Sequence, residues 1–77
     1  MSSLPIIDAK TFEKLLFYEG FKAIRKKGSH VFYRHPDGRY TTLPFHKGQD
    51  ISKPLIRQIL REIDITPEDF VLKLQNI

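Results

Sequence analysis

Three histidines, at positions 30, 35 and 46, are the first residues to consider for chemistry in this sequence, because it contains no cysteine. An imidazole titrates near neutral pH and can therefore serve as a general acid or base. His30 follows the Gly28-Ser29 turn, within reach of a cationic cluster at 25–27, and these surroundings suit proton transfer on RNA. His46 is a candidate second catalytic or orienting group, whereas His35 is most simply a solvated turn residue.

RNA cleavage at such a site needs no metal ion. It requires a base for the 2′-hydroxyl proton, an acid for the departing 5′-oxygen and cations for the charge that develops on phosphorus. Metal-dependent cleavage would instead require several converging carboxylates. Only Asp37 and Asp50 fall within residues 22–61, and they suit a turn and a helix cap. We therefore expect neither a metal site nor a cofactor.

Positive charge is concentrated in the middle of the sequence. Residues 22–61 carry ten Lys or Arg and two acidic residues, a net charge of +8, whereas the remainder carries three basic and seven acidic residues, a net charge of −4. A localised basic segment favours a polyanion partner, and RNA phosphates are the anion we expect. The residues assigned to RNA contact are Arg25, Lys26, Lys27, Ser29, Phe32, Arg34, Lys53, Arg57 and Arg61.

Two of these assignments compete with simpler explanations. Phe32 could stack on an RNA base, but a surface aromatic ring also serves to cover the flank of a neighbouring side chain. Lys53, Arg57 and Arg61 recur every four residues along one helix edge, a spacing that is also typical of a solvated helix face. The cluster at 25–27 is harder to explain, because its like charges gain little unless an anion lies between them.

The 77 residues, of which 40% are hydrophobic and 12% aromatic, are typical of one small folded domain, which we place over residues 1–77. So short a chain buries little interior, and any chemistry should lie on its surface. No apolar run approaches the ~20 residues needed to span a bilayer, and residues 1–8 lack a signal-peptide pattern. We therefore expect no membrane contact and a cytoplasmic location.

Hydrophobic patterning predicts an α+β domain with the element order α-β-β-β-α-α. The predicted elements are a helix over 9–19, strands over 21–27, 30–35 and 40–45, a helix over 53–63 and a short third helix. Asp8 and Thr66 are placed to cap the first and third helices, and either Ser52 or Asp50 to cap the second. Gly20 suits a left-handed position at the end of the first helix.

The alternation of residues in the second strand separates two faces of a three-stranded antiparallel sheet. Val31 and Tyr33 form one set, against which both long helices should pack, because only one sheet is available to cover them. His30, Phe32 and Arg34 form the other set, which should stay open to solvent. The residues assigned to the core by their spacing are Phe12, Leu15, Leu16, Leu55, Ile59, Ile63 and Phe70.

From Asp8 to Phe70 the chain resembles the HicA (YcfA-like) mRNA interferase toxins. The most specific element is Gly-Ser-His after a helix–Gly-Phe opening, followed by Pro-x-His before the second helix. The segments that carry the resemblance are Gly20-Phe21, Arg25-Lys26-Lys27-Gly28-Ser29-His30, Tyr33-Arg34-His35-Pro36-Asp37-Gly38-Arg39 and Leu43-Pro44-Phe45-His46. One departure lies at the entry to the second helix, where many members have Lys-Gly-Thr-Leu and this chain has Ser52-Lys53-Pro54-Leu55.

The resemblance implies a double-stranded-RNA-binding-like fold and ribosome-independent cleavage of mRNA, with His30 as the catalytic residue. It also implies a HicB-type antitoxin that covers the active surface, so that the toxin meets DNA only indirectly, through a DNA-binding segment of that partner. The departure at Ser52-Lys53-Pro54-Leu55 affects contacts made by the helix entry more than it affects catalysis.

Two other functional classes fit the same sequence. A non-catalytic module could hold structured RNA through its shape and phosphates, using the same cations but with no requirement for His30. Alternatively, the basic face could bind an acidic protein partner. Cleavage of RNA in EDTA would favour the nuclease, binding without cleavage the RNA-binding module, and binding that resists RNA competition the protein-interaction domain.

Overall fold

The computed structural model describes residues 4–46 and 48–77, so Lys47 of the basic segment and the first three residues of the N-terminal segment lie outside the description. The elements are α1 (Ala9–Tyr18), β1 (Lys22–Lys27), β2 (His30–Arg34), β3 (Tyr40–Pro44), α2 (Lys53–Ile63) and α3 (Pro67–Leu74). The predicted α+β order and the three-stranded antiparallel sheet are confirmed, with the strands in the spatial order β1-β2-β3. No helix in the described ranges has both the length and the apolar character to cross a membrane.

Local capping explains where the helices begin and end. The Asp8 carboxylate accepts a hydrogen bond from the Thr11 backbone N–H at 2.9 Å, and the Thr66 hydroxyl accepts one from the Asp69 N–H at 3.1 Å, as predicted. Helix α1 ends one residue earlier than expected, at Tyr18, and Gly20 follows with a φ of 97°. A positive φ costs glycine little because it lacks a Cβ, so the chain turns sharply there into β1.

Helix α2 begins at Lys53, as predicted. Ser52 occupies the N-cap position, but its side chain makes no capping hydrogen bond. Asp50 instead forms a backbone bridge with Asp8, and next to it the Ile51 N–H donates to the Ile7 carbonyl at 2.9 Å. The N-terminal segment is thereby joined to the loop before α2.

Helices α1 and α2 pack most closely against β3, over the sheet face that carries the fully buried Tyr33 and Leu43. The expected core residues are buried, except Leu55, which is only half-buried because it lines a groove at the surface. Val31, on the same face as Tyr33, is also only half-buried. The helices therefore cover the β3 side of the sheet more completely than the β1 side, whose residues are all exposed.

Candidate functional site

The open face of the sheet carries His30, Phe32 and Arg34, as the alternation predicts. All three lie on the side of β2 opposite the buried Tyr33, and His30 and Arg34 are exposed while Phe32 is half-buried. In the β1–β2 register Lys27 pairs with His30, Arg25 with Phe32 and Lys22 with Arg34. Directly paired residues of antiparallel strands lie on the same face, about 4.5–5.5 Å apart at Cβ, so a row of cations flanks the β2 side chains.

An aromatic and cationic cluster lies at the centre of this face. The guanidinium carbon of Arg25 is 5.6 Å from the centroid of the Phe32 ring. On the other side, the Tyr40 ring of β3 is 6.2 Å from Phe32, tilted by 37°, and Tyr40 is 47% exposed. Rings and a guanidinium arranged in this way form a surface on which nucleobases can stack. Tyr40 was not assigned a role from the sequence. It lies on the open face because it pairs with Arg34 across the β2–β3 strands.

His30 lies at the start of β2 because a two-residue turn returns the chain from β1. Gly28 has a φ of 58°, while Ser29 keeps a negative φ, a combination typical of the type II′ hairpin turn, in which glycine takes the first central position. The Phe45 N–H donates to the Ser29 carbonyl at 2.6 Å, which joins the turn to the end of β3. Ser29 is half-buried, and through its backbone carbonyl it holds the β1–β2 turn against the end of β3.

The imidazole of His30 also lines a groove of about 200 Å³ between β3 and α2. Two other titratable side chains line it, those of Tyr40 and Glu62. The Glu62 carboxylate is held in place because it accepts a hydrogen bond from the Thr41 hydroxyl at 2.8 Å. Neither the groove nor Glu62 was identified from the sequence, since their proximity depends on how α2 packs against β3.

His46 and Lys26 lie on the other side of the sheet from His30. Lys26 pairs with Val31, on the face towards the helices, and both His46 and Lys26 line a cavity of about 350 Å³ beside the start of α1. The chain reaches that side because β3 ends at Pro44 and Phe45 turns inward against the core. His30 and His46, the two candidate acid–base residues, therefore line separate cavities. The titratable residues that share the groove of His30 are Tyr40 and Glu62.

The predicted basic row of α2 does not line the groove of His30 either. Arg57 and Arg61 are exposed and Lys53 is half-buried. The groove is lined from α2 by Leu55, Gln58, Ile59 and Glu62. Because successive helical residues are rotated by about 100°, Arg57 and Arg61 project from the other flank of the helix. An RNA that contacts both regions must extend around α2.

His35 differs from its predicted role as a solvated turn residue. Its side chain is 20% exposed, its Nε2 lies 3.1 Å from the Glu19 carbonyl, and its Nδ1 accepts a hydrogen bond from the Asp37 N–H at 3.1 Å. The ring also lies edge-on to Phe21, with centroids 5.1 Å apart. His35 thus links the end of α1 to the β2–β3 turn, because Phe21 and Gly20 bring the helix end against it.

Ionisable groups beneath and beside the open face are fixed by hydrogen bonds. The buried Tyr33 hydroxyl donates to the Glu13 carboxylate at 2.5 Å, and burial together with this bond raises the pKa of Tyr33. The Arg39 backbone N–H lowers the pKa of Asp37, with a further contribution from the Arg39 side chain. Within residues 4–46 and 48–77, no group of three or more His, Asp or Glu side chains is placed to hold a metal ion.

Comparison with known proteins supports an assignment to a family. The chain matches the family model described as the HicA toxin of bacterial toxin–antitoxin systems over residues 9–65, from the start of α1 to just beyond α2. No curated protein sequence matches the chain. The matched segment contains the whole sheet, His30 and the groove, and covers well over half of the 77 residues. The chain therefore belongs to the HicA family of bacterial toxins.

Proposed function

We propose that this toxin is a metal-independent endoribonuclease that cleaves mRNA, that His30 is its catalytic residue, and that a HicB-type antitoxin neutralises it. The observation that supports this proposal most directly is the position of His30. Its imidazole is exposed on the open sheet face, paired across the strands with Lys27 and beside the Phe32–Tyr40 aromatic pair. Cations for phosphate, rings for bases and a group for proton transfer thus meet on one surface.

The reaction we propose uses the RNA's own nucleophile. A base removes the 2′-hydroxyl proton, the 2′-oxygen bonds to phosphorus, and the bond from phosphorus to the 5′-oxygen breaks. An acid donates a proton to that 5′-oxygen, so the products are a 2′,3′-cyclic phosphate and a 5′-hydroxyl. Lys27 and Arg25 lie where they can stabilise the charge that develops on the phosphoryl oxygens.

Two proton transfers require two groups, and Glu62 is our candidate for the second. It lines the same groove as His30, whereas His46 lines a different cavity. We assign the carboxylate of Glu62 as the base, which accepts the 2′-hydroxyl proton, and the imidazole of His30 as the acid, which donates a proton to the departing 5′-oxygen. Glu62 keeps its orientation through the hydroxyl of Thr41.

The experiment that tests this proposal is incubation of the purified protein and its His30→Ala variant with single-stranded RNA in excess EDTA. The proposal predicts cleavage by the wild-type protein, 2′,3′-cyclic phosphate ends on the products, and binding without cleavage by the variant. Binding without cleavage by the wild-type protein would instead identify a non-catalytic RNA-binding module. Arrest of growth by expressed His30→Ala, at the level of the wild type, would contradict the assignment of His30.

A further inference from the structure

Strand β1 is an edge of the sheet with unused hydrogen-bonding capacity. It pairs with β2 on one side only, and all six of its residues are exposed. Within the described ranges, no backbone hydrogen bond from outside the sheet ladder reaches residues 22–27. The outward N–H and C=O groups of such a strand are a template for another strand.

A groove of about 520 Å³ runs beneath this edge on the helix side of the sheet, lined by apolar side chains and by the charged groups of Glu13, Arg25 and Lys26. It exists because α1 and α2 pack towards β3 and leave the β1 side less covered. Its apolar lining comes from Ala23, Ile24, Val31 and Phe45, and Ile24 is 54% exposed. A partner chain that pairs with the open strand edge and covers these apolar side chains binds more favourably, because apolar surface is removed from water.

A β-bulge shapes this groove. Ala23 pairs with Tyr33 and Arg25 with Phe32, so Ile24 is an extra residue without a partner on β2. A bulge re-aims side chains, and here Ile24 lines the groove with Ala23 and also lines a second depression with Lys22 and Arg34. Arg25 and Lys27 pair with Phe32 and His30 on the open face, and Arg25 also borders the groove.

We propose that the β1 edge and this groove form a docking site for an extended acidic segment of a protein partner, which adds to the sheet as a fourth strand. Alternate side chains of a strand point to opposite faces. Apolar residues of the partner would therefore enter the groove, while its acidic residues would meet Lys22, Arg25 and Lys27 on the open face. The inference rests on the edge geometry and on the partner that a toxin of this family requires, and it holds whether or not the protein cleaves RNA.

Charge identifies this occupant over the alternatives. Four of the six β1 residues are basic and none is acidic. Pairing of β1 with β1 of a second copy would set cations against cations, which destabilises a strand pair, and lysine-rich edges are a known protection against self-association. Nucleic acid would use the cations but has no apolar strand to fill the groove. An acidic segment with alternating apolar residues satisfies the backbone, the groove and the charges together.

Such a partner would also reach the proposed RNA site. Its acidic side chains would lie against Arg25, which contacts the Phe32 ring, and Lys27, which pairs with His30. The added strand would neutralise the cations that RNA needs. This surface therefore offers a means of inhibition that does not require the partner to enter the groove of His30.

The test uses the 77-residue His30→Ala protein, labelled with ¹⁵N, and a blocked peptide of alternating Glu and Val. Amide shifts detect binding with a Kd of ~1 mM or tighter. We expect shifts confined to β1 and the lining of the groove. Two N-methylated peptides are the matched controls, one methylated on the Glu and one on the Val nitrogens. Alternate N–H groups of a strand point to opposite sides, so only one of the two methylated peptides loses the N–H groups that donate to β1. That peptide should bind at least ~10-fold more weakly, whereas the other should bind nearly as well as the unmethylated peptide.

Protein variants complete the test. Ile24→Glu should weaken peptide binding at least ~10-fold, because it removes an apolar side chain from the groove and adds a carboxylate that repels the acidic peptide. Lys14→Glu makes a charge change of the same sign on an exposed α1 residue that does not line the groove, and should leave binding within ~2-fold. Absence of shifts in β1, equal affinity for both methylated peptides, or dimerisation of the protein through β1 would overturn the proposal.

Discussion

Replacing Phe32 by Leu should weaken RNA binding without unfolding the protein. Phe32 is half-buried between the Arg25 guanidinium at 5.6 Å and the Tyr40 ring at 6.2 Å, so it is the central element of the aromatic surface. Stacking of one base on an aromatic ring contributes about 1–3 kcal/mol, which corresponds to a loss of about 5- to 150-fold in affinity. Leucine keeps most of the apolar volume but offers no ring face to a base.

The assay is fluorescence anisotropy with a short labelled single-stranded RNA in the His30→Ala background, where the RNA stays intact. Salt dependence separates stacking from charge. Phe32→Leu should lower affinity equally at all salt concentrations, whereas Arg25→Gln should also reduce the slope of log K against log salt by about 1. Tyr18→Leu removes a 63% exposed aromatic from α1 and is the matched control.

Two results would refute the stacking argument. One is binding by Phe32→Leu within about 2-fold of its parent, a loss below the smallest stacking contribution expected. The other is an equal loss in Tyr18→Leu, which would show that exposed aromatic rings attract RNA without regard to the sheet face. Thermal unfolding of each variant verifies that the affinities compare folded proteins.

Three further predictions concern groups around the site. Tyr33→Phe removes the buried hydroxyl that donates to Glu13, and should cost about 1–3 kcal/mol and lower the Tm by at least about 4 °C in thermal unfolding; an unchanged Tm would contradict the role of this bond. Glu62→Gln keeps an acceptor for Thr41 but removes the base, so kcat/KM should fall about 10²- to 10⁴-fold with the fold intact; an unaltered kcat/KM would exclude Glu62 as the base. The pKa of Asp37 is lowered in the folded state, so its stabilising effect is present above the unfolded pKa and disappears as pH falls through the lower, folded value. Urea unfolding between about pH 5 and pH 2 should therefore show a smaller acid loss of stability in Asp37→Asn, and parallel curves for the two proteins would contradict this.

The parts of the fold that the sequence predicted well are governed by local interactions. The Asp8 and Thr66 caps, the positive φ of Gly20 and the alternation of β2 depend on residues a few positions apart. For the same reason the open face with His30 and Phe32 could be predicted before the structure was known. In a regular strand such as β2, periodicity determines which side of the sheet each residue occupies.

The composition of the groove could not be predicted, because it depends on how distant elements pack. Tyr40 reaches Phe32 through the β2–β3 register, and Glu62 reaches the side of His30 through the packing of α2 on β3. The bulge at Ile24 shifts the alternation of β1, so that Arg25 and Lys27 share a face with Lys22, which a strictly alternating pattern does not predict. His46 was considered near His30 because both lie at strand ends, but the inward turn at Phe45 carries it to the other side of the sheet.

The most direct test of the catalytic role of His30 is the single-turnover rate of RNA cleavage by the wild-type protein and by His30→Ala, measured in EDTA with the two proteins at equal RNA occupancy. General acid–base catalysis contributes about 10²- to 10⁴-fold, so the rate should fall by that factor in His30→Ala with RNA affinity nearly unchanged. An RNA with a 2′-deoxy substitution at the cleaved position should resist both proteins. Cleavage by His30→Ala within a few fold of the wild-type rate would contradict the claim that this imidazole carries the chemistry.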